Sequence, residues 1–246
     1  MKRFLCLLLP LVVLTSCVFT EEIEINQDGS GKYAFAIDGS SLIAMMPKDS
    51  SKLVKTIDSV FTFKQLLEEK KDSIAKLSIE EQSKFRKSEN FLMRIQINQE
   101  KKQLLFSLET FFKSVTDLQQ LIEGMESFQK LTKSIKKQQI QRIGNLSVLL
   151  ENGVKMNYLY DGKKFFRKTI ATNQPFKKID ANFLAKYKTI LEASKYVVKY
   201  HFPKEVKTVS NKTAVFSKDR KIVTIEFKWD EIVKSPECLN LEVQFK

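Results

Sequence analysis

The chain has 246 residues, 43% of them apolar, which excludes wholesale disorder; only 7 Gly and 5 Pro punctuate it, so long helices and long hairpins are expected. The formal net charge is +13, and the basic residues are scattered, with Lys-Lys pairs starting at Lys70, Lys101, Lys136, Lys163 and Lys177. That scatter describes a charged, soluble surface, and with no recognisable binding motif beside it no nucleic-acid partner is expected.

Lys2 and Arg3 precede an apolar run, Phe4 to Leu14, followed by small and polar residues, which is the layout of a secretory signal peptide. The run is well short of the roughly 20 apolar residues a spanning helix needs, and Pro10 interrupts it. Its end, Leu14-Thr15-Ser16-Cys17, resembles the lipobox of bacterial lipoproteins. The resemblance implies cleavage between Ser16 and Cys17 and transfer of a diacylglycerol unit to the Cys17 thiol. A thiol suits this role because its thiolate is accessible near neutral pH. Each buried methylene of an acyl chain contributes about 0.8 kcal/mol, so two or three chains hold a protein on a membrane.

Residues 1–16 are accordingly read as the lipoprotein signal peptide and residues 17–246 as a single α+β envelope domain. Cleavage removes Lys2 and Arg3 and no acidic residue, so the charge falls from +13 to +11. With Cys17 acylated and Cys6 removed, Cys238 has no intramolecular partner, and stability must come from a packed core. Val18 follows Cys17, so the Asp that favours inner-membrane retention in some lipoproteins is absent and outer-membrane sorting is expected, in either leaflet.

Residues 19–38 predict a hairpin. Phe19, Glu21, Ile23 and Ile25 share one side, Tyr33, Phe35 and Ile37 alternate after the turn, and Asp28-Gly29-Ser30-Gly31 supplies turn residues. This loop lacks the later bidentate Glu of a calcium loop and the spacing of a phosphate loop, so it reads as a plain turn. A short helix stopped at Pro47 follows, then a broadly helical period from Asp49 to Glu69, within which Val60 to Phe63 also fits a strand. Ser78 with Glu81 predicts a capping box opening a helix to Lys87. Asn90–Asn98 and Gln103–Phe112 predict a second hairpin, and Asp117–Gln141 a helix. Ser147–Ile170 predicts strands with turns at Asn152-Gly153 and Asp161-Gly162, and Asp180–Ser194 a helix capped by Asp180. The remainder is strand-rich.

Little in the sequence carries catalysis. The lone His201 has no nucleophile motif to serve, and zinc would need several His or Cys ligands where only His201 and Cys238 are available. The carboxylate pairs Glu21-Glu22, Glu68-Glu69 and Glu80-Glu81 lie mostly among Lys, as solvated faces do. Trp229 and most Phe residues read as core, and Cys238 as buried in a strand near the carboxyl terminus. No catalytic residue, metal site or cofactor is predicted.

The EEIEIN, DGSG and KYAF segments after Cys17, with IDSVFTFKQLLEEKKDSIAKLSIEEQ, resemble uncharacterised lipoproteins of Bacteroidetes-like bacteria. The DGSG hairpin and YVVKYHFPKEVKTVSN are more loosely similar to lipoproteins carrying an LppM-type domain, which implies an α+β envelope module in contact with lipid or glycolipid. The expected architecture is therefore antiparallel β-hairpins forming one or two sheets packed against several amphipathic helices. The expected function is that of a noncatalytic, membrane-anchored envelope lipoprotein, a binding or structural module. Its partners would be the membrane, through lipid on Cys17, and an envelope protein or an anionic lipid or glycan. Two alternatives are a lipid or glycolipid carrier with an apolar cavity between sheet and helices, and an enzyme using carboxylates.

Overall fold

The computed structural model describes residues 16–44, 56–122, 154–171 and 188–246. The strands are β1 (Val18–Ile25), β2 (Gly31–Asp38), β3 (Ile57–Thr62), β4 (Leu92–Asn98), β5 (Gln103–Phe112), β6 (Val154–Tyr160), β7 (Lys164–Ala171), β8 (Lys195–His201), β9 (Val206–Val209), β10 (Val215–Phe216), β11 (Ile222–Lys228) and β12 (Leu241–Phe245). They build an eight-stranded sheet, β10-β11-β8-β1-β2-β5-β4-β3, and a four-stranded sheet, β6-β7-β12-β9. Short helices at Ser40–Ala44, Phe63–Glu69, Lys71–Ile74, Ile79–Lys87 and Trp229–Lys234 complete an α+β fold. Residues 115–122 and 188–193 are also helical.

The first hairpin forms as its alternation requires. Phe19, Ile23 and Ile25 of β1 and Tyr33, Phe35 and Ile37 of β2 are buried, and intervening residues face outward. Gly29 takes the positive φ of +81° that the turn needs, and Asp28 Oδ1 accepts hydrogen bonds from the Ser30 N–H at 3.0 Å and the Ser30 hydroxyl at 2.6 Å. The plain turn is what the structure shows. A Cβ on Gly31 would stand 1.9 Å from the Glu24 carbonyl oxygen and 2.5 Å from the Phe112 ring. Gly31→Ala must therefore push backbone apart, and urea denaturation is expected to show a loss of about 1–3 kcal/mol.

The second hairpin, β4 with β5, and the Ser78–Glu81 capping box that opens helix Ile79–Lys87 also follow the sequence reading. So does the turn at Asp161-Gly162, where Gly162 has φ +79° between β6 and β7. Asn152-Gly153, Asp180, Pro47 and the greater part of the helices expected at 117–141 and 180–194 lie outside the described residues.

Two expectations are corrected. The helical period assigned to 49–69 breaks within the described residues: Ile57–Thr62 is strand β3, paired antiparallel with β4, and the helix begins only at Phe63. Thr62 causes the switch, since its hydroxyl accepts from the Gln65 N–H while the Gln65 side chain accepts from the Thr62 N–H. The expected α+β class, with antiparallel hairpins in two sheets, is what the structure shows, and within the large sheet one pair, β1 with β8, is parallel. Cys238 lies in the 3-10 turn Pro236–Leu239, half-buried, and not in a strand.

Packing is dominated by rings. Trp229, at the start of its helix, is buried and stacks on Phe19 with centroids 4.4 Å apart. Phe165 of β7 meets Tyr200 of β8 and Phe202, and Phe202 meets Phe245 of β12, so aromatic side chains join the two sheets.

Candidate functional site

Where the sheets meet, the core contains charge. Alternation places Glu21 on the inward side of β1 between Phe19 and Ile23, and the parallel register sets Phe19 beside Tyr196 and Ile23 beside Tyr200. Two phenols from β8 therefore flank the carboxylate. On the other sheet, Arg167 turns inward from β7, with Tyr158 of β6 as its register partner. Glu21 is 1% exposed and Arg167 2%, which corrects the reading of Glu21 as part of a solvated face. Glu22 faces outward, and Glu68, Glu69, Glu80 and Glu81 are exposed as expected.

Arg167 Nη2 donates to Glu21 Oε2 at 2.8 Å, and the Tyr196 hydroxyl donates to the same oxygen at 2.5 Å. Glu21 Oε1 accepts from Tyr158 at 3.1 Å and from Tyr200. Arg167 Nη1 donates to the Leu239 carbonyl at 3.2 Å, tying the group to the turn before β12. Burial pulls the Arg167 guanidinium down, but the attraction of Glu21, aided by the phenolic oxygens, outweighs it and holds the pKa well above its ordinary value. Burial, reinforced by Glu21, pushes the Tyr158 and Tyr196 hydroxyls well up, so both remain donors.

A carboxylate offers about four lone-pair sites, and Arg167, Tyr158, Tyr196 and Tyr200 occupy that capacity. Glu21 keeps no acceptor position for a substrate proton or a metal ion. The arrangement is an inter-sheet clamp.

Cys17 sits just before β1 and is buried. Its N–H donates to Ser194 Oγ at 3.1 Å, and its carbonyl accepts from the Lys195 N–H at 3.0 Å. Ser194 is fixed in turn by its hydroxyl donating to the Ile190 carbonyl at 2.7 Å, and Ser41 Oγ donates to the Ser16 carbonyl at 2.8 Å. Burial pushes the Cys17 thiol up to about 11 against the opposing effect of Ser194, so at neutral pH it is the protonated, unreactive form.

His201 lies on the outward face of β8, partly buried, with Nε2 2.7 Å from Glu22 Oε1. Lys199 Nζ holds the same oxygen at 2.8 Å. Burial raises the Glu22 carboxyl, but its bonds to Lys199 and His201 prevail and lower it below the usual range. Glu24 completes a group whose ligand atoms all lie within 4.8 Å of one another. Among the described residues, these are the ones grouped with the chemistry to hold a metal.

No family model matches the chain, and no curated sequence matches it significantly, so the likeness to Bacteroidetes-type lipoproteins rests on the residues quoted above. Among solved structures, the chain is similar to the folded domain of the Mycobacterium tuberculosis LppM protein, determined by NMR. The TM-score is 0.40 at 9% identity, over 94% of this chain and 89% of that one. A likeness of that degree carries no functional weight.

Proposed function

We propose that the chain is a noncatalytic envelope lipoprotein, anchored through lipid on Cys17 and serving as a binding or structural module at the membrane surface. The observation that carries the reading is the position of Cys17, which ends the Leu14-Thr15-Ser16-Cys17 sequence and directly precedes β1, a central strand of the large sheet. With lipid on the residue next to that strand, the fold has almost no tether and rests against the bilayer. A diacylglyceryl thioether has no room where the unmodified thiol is buried. Acylation therefore comes before β1 is fully seated, and the modified Cys17 leaves its contact with Ser194 while Val18 onward holds the sheet.

The saturated carboxylate of Glu21 supports a noncatalytic role, since it has no free acceptor for acid–base work. Where the two sheets meet, Glu21, Arg167, the tyrosines and the Phe165–Phe202–Phe245 rings fill the space, so among the described residues that junction is packed core. Partners are then sought on the surface, among envelope proteins and anionic lipids or glycans, with outer-membrane sorting following from Val18.

The test is metabolic labelling with an alkyne-bearing palmitate analogue in a bacterial host. The wild type is expected to take up label and migrate as the processed chain, and Cys17→Ala to take up none and stay at precursor size. Equal labelling of the two would contradict the anchor.

A further inference from the structure

We propose that Glu22, Glu24 and His201 form a binding site for a divalent first-row transition metal, with zinc the best-matched ion, on the outward face of the β1/β8 pair. Glu22 and Glu24 are two residues apart on β1 and project to the same side, and His201 on β8 is the register partner of Glu24. Three side chains thus converge from two hydrogen-bonded strands in the middle of an eight-stranded sheet, where the backbone is held on both sides. Their ligand atoms lie within 4.8 Å of one another. Zinc bonds of about 2.0–2.2 Å place neighbouring ligands about 3–4 Å apart. Rotation of the exposed Glu24 side chain closes that difference without moving the strands.

The donor set selects the ion class. One imidazole nitrogen with two carboxylates suits zinc and its transition-metal neighbours better than calcium or magnesium, which take oxygen ligands throughout. His201 Nε2 and Glu22 Oε1, 2.7 Å apart, are joined by a hydrogen bond that a metal ion would replace. The fourth position remains open to water or to a donor from another molecule. The search for zinc ligands by His and Cys alone misses this site because two of its three donors are carboxylates from a segment that reads as a solvated strand face.

Two cations set its strength. Lys199 Nζ occupies Glu22 Oε1 and must swing away, and Lys32, the register partner of Glu24 on β2, adds positive charge although it is itself bound to Glu109 at 2.7 Å. Removing Lys199 should therefore tighten binding.

The experiment is titration of zinc chloride into the purified full chain, by calorimetry and by competition with a chromophoric chelator. One site per chain is expected, weakened about tenfold or more by His201→Ala and by Glu24→Gln, since loss of even an outer-shell partner typically costs a metal site that much. Lys199→Met should bind several-fold tighter, and Cys238→Ser should bind as the wild type does. Glu24 and Lys199 are on the surface, His201 is partly buried on the outward face and Cys238 is half-buried against the core, and unchanged circular dichroism will show that the fold is kept. Absence of binding at millimolar zinc, binding indifferent to His201→Ala, or binding lost in Cys238→Ser would each overturn the proposal.

Discussion

Arg167→Met is expected to lower the unfolding free energy by about 3–5 kcal/mol, because it leaves the Glu21 carboxylate buried without its cation. Three phenols would still donate to Glu21, but none supplies a positive charge, and water does not reach a residue that is 1% exposed. For a chain of this size the midpoint temperature should fall by about 6–20 °C. Glu21→Leu alone should cost a similar amount, since it strands the guanidinium. The double variant Glu21→Leu/Arg167→Met should recover most of the loss, because a buried ion pair replaced by apolar groups of similar volume is often neutral or stabilising. Urea denaturation of the four proteins gives the coupling directly. Additive losses in the double variant would mean that the two residues do not act as a pair.

The clamp also constrains register. Slipping β1 by one residue against β8 and β2 would turn Glu21 to solvent together with the buried Phe19, Ile23 and Ile25, and bring Thr20, Glu22 and Glu24 to the core face.

The second large effect is expected from Phe19→Ala. Phe19 is fully buried on β1 and stacks on Trp229, so its truncation removes ring contacts and leaves a cavity costing about 3–5 kcal/mol. Trp229 is the single tryptophan of the chain, which makes the site self-reporting. Native fluorescence should shift to longer wavelength as solvent reaches the indole, and the urea midpoint should fall in step. An unchanged spectrum would show that the Phe19–Trp229 stack does not shield the ring.

Local pattern made much of this fold legible. Period-two alternation gave β1, β2, β4 and β5 with their buried faces, and Ser78 with Glu81 marked a helix start because both halves of the capping box lie within four residues. The parallel pairing of β1 with β8 was not legible, since it joins segments more than 170 residues apart and no turn announces it. Strand β3 was legible only as an alternative at Val60 to Phe63, because Ile57, Val60 and Phe61 also fit a helical period and the cap at Thr62 decides between them.

The clamp was half visible. Alternation assigns Glu21 to the same side as Phe19, Ile23 and Ile25, which is the signature of a buried charge, but its neighbour Glu22 made the pair look like a solvated face. Its partner Arg167 lies 146 residues away among Lys163, Lys164 and Lys168, with nothing local to distinguish it. His201 was visible as a lone imidazole, and only the strand register brings Glu22 and Glu24 to it. Cys17 is buried with its N–H on Ser194, 177 residues away, which could not be read from the lipobox resemblance.

The central claim is that Cys17 is the first residue of a lipid-bearing protein. Mass spectrometry of the amino-terminal peptide from the membrane-extracted protein tests it most directly. The account predicts a peptide that begins at Cys17 and carries a diacylglyceryl group on the thiol. A peptide that still joins Ser16 to Cys17, or one that begins at Cys17 with an unmodified thiol, would contradict it.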